Sequence, residues 1–247
     1  MIRKEIVSLF VVILTLAVMC TASATVVATQ DWESGLGSWT TTGTTAIVND
    51  AVTDLLGAGN HAIQTPSGTA GTSTLTLGSV TGPNWSIAFD FYNAGTAREY
   101  LSGSNWGGGA YGSGALGQLI ALGHYNTGNF SNYNFRIAVG TTGLLAGGWG
   151  DTSFARANNA WHAMKIQQVY NTGDTFATLN FYVDGALGAT WTTTALSGVN
   201  NIRAGSGLTN GGAYYDNIRL DVPEPGSMLA LGTGLLGLFG FIRRRRA

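Results

Sequence analysis

Residues 85–92, WSIAFDFY, and 176–185, FATLNFYVDG, decide the fold. In the first, Trp85, Ile87, Phe89 and Phe91 alternate with Ser86, Ala88, Asp90 and Tyr92. Successive side chains of a strand point to opposite faces, so this period of two gives one apolar face and one mixed face. In the second, Ala177, Leu179, Phe181 and Val183 share a face, and Asp184-Gly185 is a two-residue hairpin turn. Both stretches predict half-buried strands of an antiparallel sheet.

Working outward, strands are predicted over 46–48, 61–64, 118–124, 133–139, 161–170, 187–192 and 214–220, and Leu75 and Leu77 alternate with threonines. No long helical period appears between 25 and 221. About twelve strands over that span predict one all-β domain, residues 25–221, built as a two-sheet antiparallel sandwich. Of the chain's 13 acidic residues, Glu5 and Glu224 lie outside the domain, leaving 11. Of its 12 basic residues, Arg3, Lys4 and Arg243 to Arg246 lie outside, leaving 6 and a net charge of −5. No basic stripe exists to neutralise phosphates, which argues against a nucleic-acid partner.

The stretch 161–185, WHAMKIQQVYNTGDTFATLNFYVDG, runs Trp161-His162, an apolar strand, a polar turn and a strand ending Tyr182-Val183-Asp184-Gly185. Together with the opening DWESGLGSWT (31–40) and the closing YYDNIRL (214–220), it resembles the concanavalin A-like, laminin-G-like jelly roll. The resemblance implies a jelly-roll sandwich of the carbohydrate-binding kind. The separate nine- or ten-strand jelly roll of other carbohydrate-binding modules is the competing subtype.

The two ends carry targeting information. Arg3 and Lys4, the apolar run Ile6 to Met19 and Ala22-Ser23-Ala24 form a signal peptide over residues 1–24, with signal peptidase cutting after Ala24. Cys20, the single cysteine, leaves with it, so the mature protein has no disulfide and relies on its core or a bound ion. At the other end, residues 222–247 read VPEPGSMLALGTGLLGLFGFIRRRRA. Pro223 and Pro225 keep the stretch around Glu224 extended. The apolar run 226–242 would span roughly 25 Å as a transmembrane helix, slightly short of a hydrocarbon core of about 30 Å. Arg243, Arg244, Arg245 and Arg246 hold that end in the cytoplasm and leave the sandwich outside. This tail resembles the PEP-CTERM sorting signal of Gram-negative bacteria. The resemblance implies a precursor anchored transiently in the inner membrane, cut near Pro223-Glu224-Pro225 by an exosortase-type protease and released to the cell surface or extracellular matrix.

Within the domain the chemistry is sparse. Strand parity places Asp216 on the apolar face of Ile218 and Leu220, where an unpaired carboxylate is costly. A structural calcium ion shared by Asp31, Glu33 and Asp216 is one solution; hydrogen bonds from turn amides are the other. No cofactor is required. In the glycine-rich loop 103–117, Trp106 and Tyr111 are candidates to stack on sugar rings, with Tyr92, Tyr100, Tyr125 and Trp149 extending the platform. The bland alternative is a flap whose aromatics pack on the sandwich. The match of 112–117 to G-x-G-x-x-G lacks the leading strand and following helix of a dinucleotide site. His61, His124 and His162 lack zinc spacing. The paired-glutamate strand motif of jelly-roll glycosidases is absent, as is G-x-S-x-G, so the chain is not expected to be an enzyme. The sequence thus reads as an exported surface or exopolysaccharide-matrix protein with a carbohydrate-binding sandwich. A structural matrix protein without a specific ligand is the alternative, and a secreted glycan hydrolase the third reading.

Overall fold

A computed structural model describes residues 24–49, 60–79, 81–93, 98–106, 116–125, 131–139, 142–143, 148–171, 173–194, 198–207 and 211–223. In chain order the strands are β1 (Ala24–Gln30), β2 (Trp39–Gly43), β3 (Ala46–Asn49), β4 (His61–Thr65), β5 (Gly71–Thr76), β6 (Trp85–Asn93), β7 (Glu99–Trp106) and β8 (Leu116–His124). They continue with β9 (Asn132–Val139), β10 (Thr142–Gly143), β11 (Trp149–Ala155), β12 (Trp161–Val169), β13 (Ala177–Val183), β14 (Ala186–Thr193), β15 (Asn201–Ala204) and β16 (Ala213–Pro223). The first sheet has the order β14-β13-β12-β6-β16-β4-β3, with β1 also on β16; the second has β10-β9-β8-β7-β15-β5-β2, with β11 also on β9. Residues Val26–Val222 form one compact unit.

The two deciding stretches are the facing strands their pattern required. Trp85, Ile87, Phe89 and Phe91 are buried, as are Ala177, Leu179, Phe181 and Val183. They meet Leu101, Ile120, Leu122, Phe135, Ile137 and Ile202 of the second sheet in one core. The Phe135 and Phe181 rings stack with centroids 4.4 Å apart. A buried polar bridge also joins the sheets, where Gln118 Nε2 donates to Gln168 Oε1 at 2.9 Å. Asp184 (φ 51) and Gly185 (φ 78) both take positive φ, as a type I′ hairpin demands. Asp184 also ties this turn to the start of β12, accepting from Ala163 N at 3.0 Å and lying 2.8 Å from His162 Nδ1.

One parity expectation is corrected. Asp216 pairs with Asp90 on the outer face of the first sheet, whereas Leu220 pairs with Ile87 and faces the core. The register shifts between Asp216 and Arg219, where Asn217 sits at φ 48. A residue inserted in one strand leaves two opposite one, so alternation restarts beyond it. Asn217 suits the position because a short amide side chain tolerates left-handed backbone. Its Nδ2 donates to Asp90 Oδ2 at 2.8 Å.

Among the described residues there is no α-helix, and no helix long and apolar enough to cross a membrane. The expected transmembrane run 226–242, the arginines 243–246, Glu224, Pro225 and Ala22 lie outside the described residues. Pro223 ends β16 and Ala24 begins β1.

Candidate functional site

The outer face of the second sheet is turned away from the core. Cross-strand neighbours share a face, and the register strings one row over seven strands. It runs Trp149, Arg136, Ala121, Ser102, Arg203, Thr74 and Thr40. A parallel row holds Ala138, Leu119, Ser104, Asn201 and Thr76. On the other side lie Asp151, Asn134, Gly123 and Tyr100, followed by Gly205, whose N–H donates to Tyr100 O at 3.1 Å. The middle of the face is thus floored by small side chains. Its β7–β9 part is closed, with Ser102, Ser104, Leu119 and Ala121 buried. Its β15, β5 and β2 part is open: Arg203, Asn201 and Thr74 are half-buried, and Thr40 and Thr76 exposed.

Aromatic rings stand at the closed side. Trp149 stacks on Tyr125 with centroids 4.7 Å apart and planes at 10°, and Tyr100 meets Trp149 edge-on at 5.2 Å. The Arg136 guanidinium carbon lies 5.6 Å from the Trp149 ring centroid and that of Arg98 lies 5.2 Å from the centroid of Tyr125. Gly148 (φ 77) brings backbone against this group: a Cβ there would sit 3.5 Å from Arg136 Nε. Asn134 anchors the neighbouring row, donating to Asp151 Oδ1 at 2.6 Å and accepting from Tyr125 N at 2.9 Å.

Of the aromatics expected to form a platform, the structure brings together Tyr100, Tyr125 and Trp149. Tyr92 belongs elsewhere: it packs with Trp161 and Tyr214 on the outer face of the first sheet. Trp106 closes β7, but its side chain and the whole of Tyr111 lie outside the described residues. Arg136, Arg203, Ser102 and Asn134 were not singled out in the sequence. The outward parity of Asn134 and Arg136 was readable on the predicted strand 133–139, whereas Ser102 and Arg203 lie on strands the sequence did not reveal, and which strands lie side by side was not readable at all.

The carboxylates expected to share calcium are engaged separately. Glu33 Oε1 accepts from His61 N at 2.7 Å and Oε2 lies 2.9 Å from His61 Nδ1, contacts that hold its carboxyl below the usual range. Asp31 Oδ1 accepts from Glu33 N at 3.2 Å. Asp216 accepts from Asn60 Nδ2 at 2.9 Å and Asn217 N at 2.7 Å. Burial nevertheless pushes Asp216 up to about 6, with smaller contributions from the charges of Asp90 and Glu33. Among the described residues, no three His, Cys, Asp or Glu side chains gather as a metal site.

A second polar group lies between the sheets. Glu99 is fully buried; its Oε1 accepts from Gly211 N at 3.0 Å and its Oε2 lies 2.9 Å from Tyr215 Oη. Desolvation raises its carboxyl to about 7. Tyr215 Oη is also 3.1 Å from Tyr100 O. A hydroxyl has one proton to donate, so when it goes to Tyr100 O the proton between Tyr215 and Glu99 belongs to Glu99. His124, opposite Glu99 in the register, contacts Arg156.

No curated protein sequence matches the chain significantly. Similar solved structures include domain 4 of AbnA, an extracellular arabinanase from Geobacillus stearothermophilus, in complex with arabinotriose. It is 15% identical with a TM-score of 0.52, over 84% of this chain and 98% of that one. The T. cruzi calreticulin globular domain is 11% identical with a TM-score of 0.53, over 84% and 91% of the two chains. The Crh5 transglycosylase in complex with NAG is 14% identical with a TM-score of 0.53, over 80% and 84%. At these identities the likeness is one of fold, and the fold is a two-sheet jelly roll. Residues 221–246 match the PEP-CTERM protein-sorting motif. The chain therefore carries a PEP-CTERM protein-sorting motif behind a jelly-roll domain.

Proposed function

We propose that this is an exported surface or matrix protein, cut at its Pro223-Glu224-Pro225 tail, whose sandwich binds polysaccharide on the outer face of the second sheet. The observation that carries the binding half is the row from Trp149 to Thr40. With its neighbouring rows it combines hydroxyl and amide side chains on the open β15, β5 and β2 part, small buried residues on the β7–β9 part, and aromatic rings at the closed side. Hydroxyl and amide groups match the alternating donors and acceptors of a sugar, and ring faces match its C–H surface. The arabinotriose and NAG complexes of similarly folded proteins lend this reading support. Hydrolysis needs two carboxylates flanking the scissile bond; among the described residues of the three rows, Asp151 is the one carboxylate. Binding is therefore preferred over cleavage.

The sorting half follows from the matched motif. Signal peptidase removes residues 1–24, the apolar run 226–242 holds the precursor in the membrane, and an exosortase-type protease releases it. Mass spectrometry of the mature protein is expected to find residues after about 225 missing. Replacing Pro223, Glu224 and Pro225 by alanine is expected to leave the tail on. An intact C-terminus in the native mature protein would defeat this half.

For the binding half, the secreted protein is expected to be retarded in gels containing polysaccharide. Trp149→Ala should weaken retention about tenfold, equivalent to about 1.4 kcal/mol, while the melting curve shows the fold persists. Trp106→Ala reports separately on the loop. Undiminished retention in the folded Trp149 variant would remove the aromatic cluster from the site. No retention on any polysaccharide would favour a structural matrix role.

A further inference from the structure

We infer that a second copy of this chain pairs antiparallel along the free edge of β14, joining two first sheets across a two-fold axis. β14 ends the first sheet and pairs with β13 alone among the described strands. An edge strand presents backbone donors and acceptors that another strand can take up, and proteins blunt such edges with short strands, lysine, proline or bulges. Of the strands with one partner, β14 is the longest: eight residues, against seven in β1 and β11, five in β2, four in β3 and two in β10. Its sequence, ALGATWTT, holds no charge and no proline. A bulge blunts its first half. There the register shifts opposite Phe181 and Tyr182, and a Cβ on Gly188 would stand 2.8 Å from Phe154 Cδ2 of β11. From Ala189 to Thr192 the pairing with β13 is regular, and Thr190, Trp191 and Thr192 are exposed.

The side chains of that regular half point to the occupant. Trp191 pairs with the core residue Leu179 and its ring centroid lies 6.5 Å from that of Phe135, yet 36% of the residue stays in water. Phe176, one residue ahead of β13, and Leu187 of β14 are also exposed, so three of the five exposed large hydrophobic residues among the described ones lie on or beside this edge. Thr190-Trp191-Thr192 reads the same in both directions. Antiparallel pairing of two copies centred on Trp191 therefore sets tryptophan opposite tryptophan and threonine opposite threonine, both favourable cross-strand pairs. Charge favours the same arrangement. The domain carries −5 over 25–221, from 6 basic and 11 acidic residues, so two copies repel each other at long range. An uncharged strand meets its own copy with no like charges opposed. A two-fold contact uses the same patch on both partners and closes at the dimer. Tryptophan at the centre of such a contact is among the residue types that contribute most to association.

Sedimentation velocity of the secreted protein at rising concentration tests this, with no polysaccharide present, so the outcome is independent of the binding reading above. The mass is expected to climb from that of the monomer towards twice that value. Trp191→Lys sets like charges opposite each other and is expected to weaken association about tenfold or more, while the melting curve shows that the sandwich persists. The double variant Thr190→Lys/Thr192→Lys opposes the same charges and serves where Trp191→Lys fails to fold. Val26→Lys on β1 and Thr40→Lys on β2 should change nothing. Residues 25–223 contain no cysteine, so Trp191→Cys is expected to form a disulfide between copies under mild oxidation, and Thr40→Cys is not. A monomer at every concentration, with no cross-link in Trp191→Cys, would overturn the pairing. A dimer that Val26→Lys or Thr40→Lys dissociates and Trp191→Lys does not would overturn it in favour of another edge. Assemblies that grow past the dimer would overturn the two-fold register.

Discussion

Phe181→Ala is expected to cost the sandwich about 3–5 kcal/mol. Phe181 is fully buried on β13, and its ring stacks on Phe135 of the opposite sheet at 4.4 Å and 22°. The pair is one of the places where the two layers touch directly, so truncation removes both buried area and a stacked contact. The hole cannot close by a shift of Phe135, because the backbone of β11 already lies against that ring. A Cβ added at Gly150 would stand 2.6 Å from Phe135 Cζ. A site that cannot collapse falls in the upper part of the range for large-to-small substitutions. Against a typical domain stability of about 5–15 kcal/mol, this loss would leave the protein marginal. Equilibrium urea unfolding checks it, with Phe176→Ala as the control. Phe176 is 45% exposed and its truncation should stay within about 0.5 kcal/mol. A loss below about 1 kcal/mol at Phe181 would mean that the sheets do not depend on this contact.

A comparable effect is expected from pH, through Glu99. In the unfolded chain its carboxyl titrates near 4.5, and in the fold burial raises it to about 7. Between those values the folded state binds the extra proton, so its stability falls as pH rises. The contribution is fully present below about 4.5 and is lost as pH passes 7, for a total of roughly 3 kcal/mol. Asp216, raised from 3.8 to about 6, acts in the same direction at lower pH. Glu33, exposed and lowered by His61, acts in the opposite direction. Glu99→Gln should isolate the effect. The amide is uncharged at every pH, its oxygen can accept from Gly211 N, and its Nε2 can donate to Tyr215 Oη. The variant is expected to match the wild type near pH 5 and to exceed it near pH 8, when both are unfolded in urea. A wild type equally stable at the two pH values, or a variant with the same slope, would place the titrating group elsewhere.

Much of the architecture was legible because strand alternation is local. The apolar faces of 85–92 and 177–183, the Asp184-Gly185 hairpin and the strands over 61–64, 118–124, 133–139 and 161–170 need no knowledge of neighbours. Strand β7 was not read: its sequence, EYLSGSNW, has no clean apolar alternation and is rich in serine and glycine. It is a strand because β8 and β15 pair with it on both sides, and such pairing overrides a weak intrinsic preference. Strands β2, β11 and β15 were missed for similar reasons, being short or interrupted by glycine and polar residues. The bulge at Asn217 defeated the parity argument for Asp216, since one left-handed residue leaves little trace in the sequence yet reverses every face beyond it.

The sequence by itself determined that this is an all-β exported protein with a sorting tail, because both conclusions rest on contiguous residues. Alternation fixes which side chains a strand buries, and the order of prolines, apolar run and arginines fixes the address. Only the tertiary structure decided which side chains share a face. Arg136 and Arg203 lie 67 positions apart and become members of one row through three intervening registers. Tyr92 and Tyr100 are eight positions apart and end on different sheets. Side-chain partnership across a sheet depends on strand order and register, which are set by packing the whole sandwich at once.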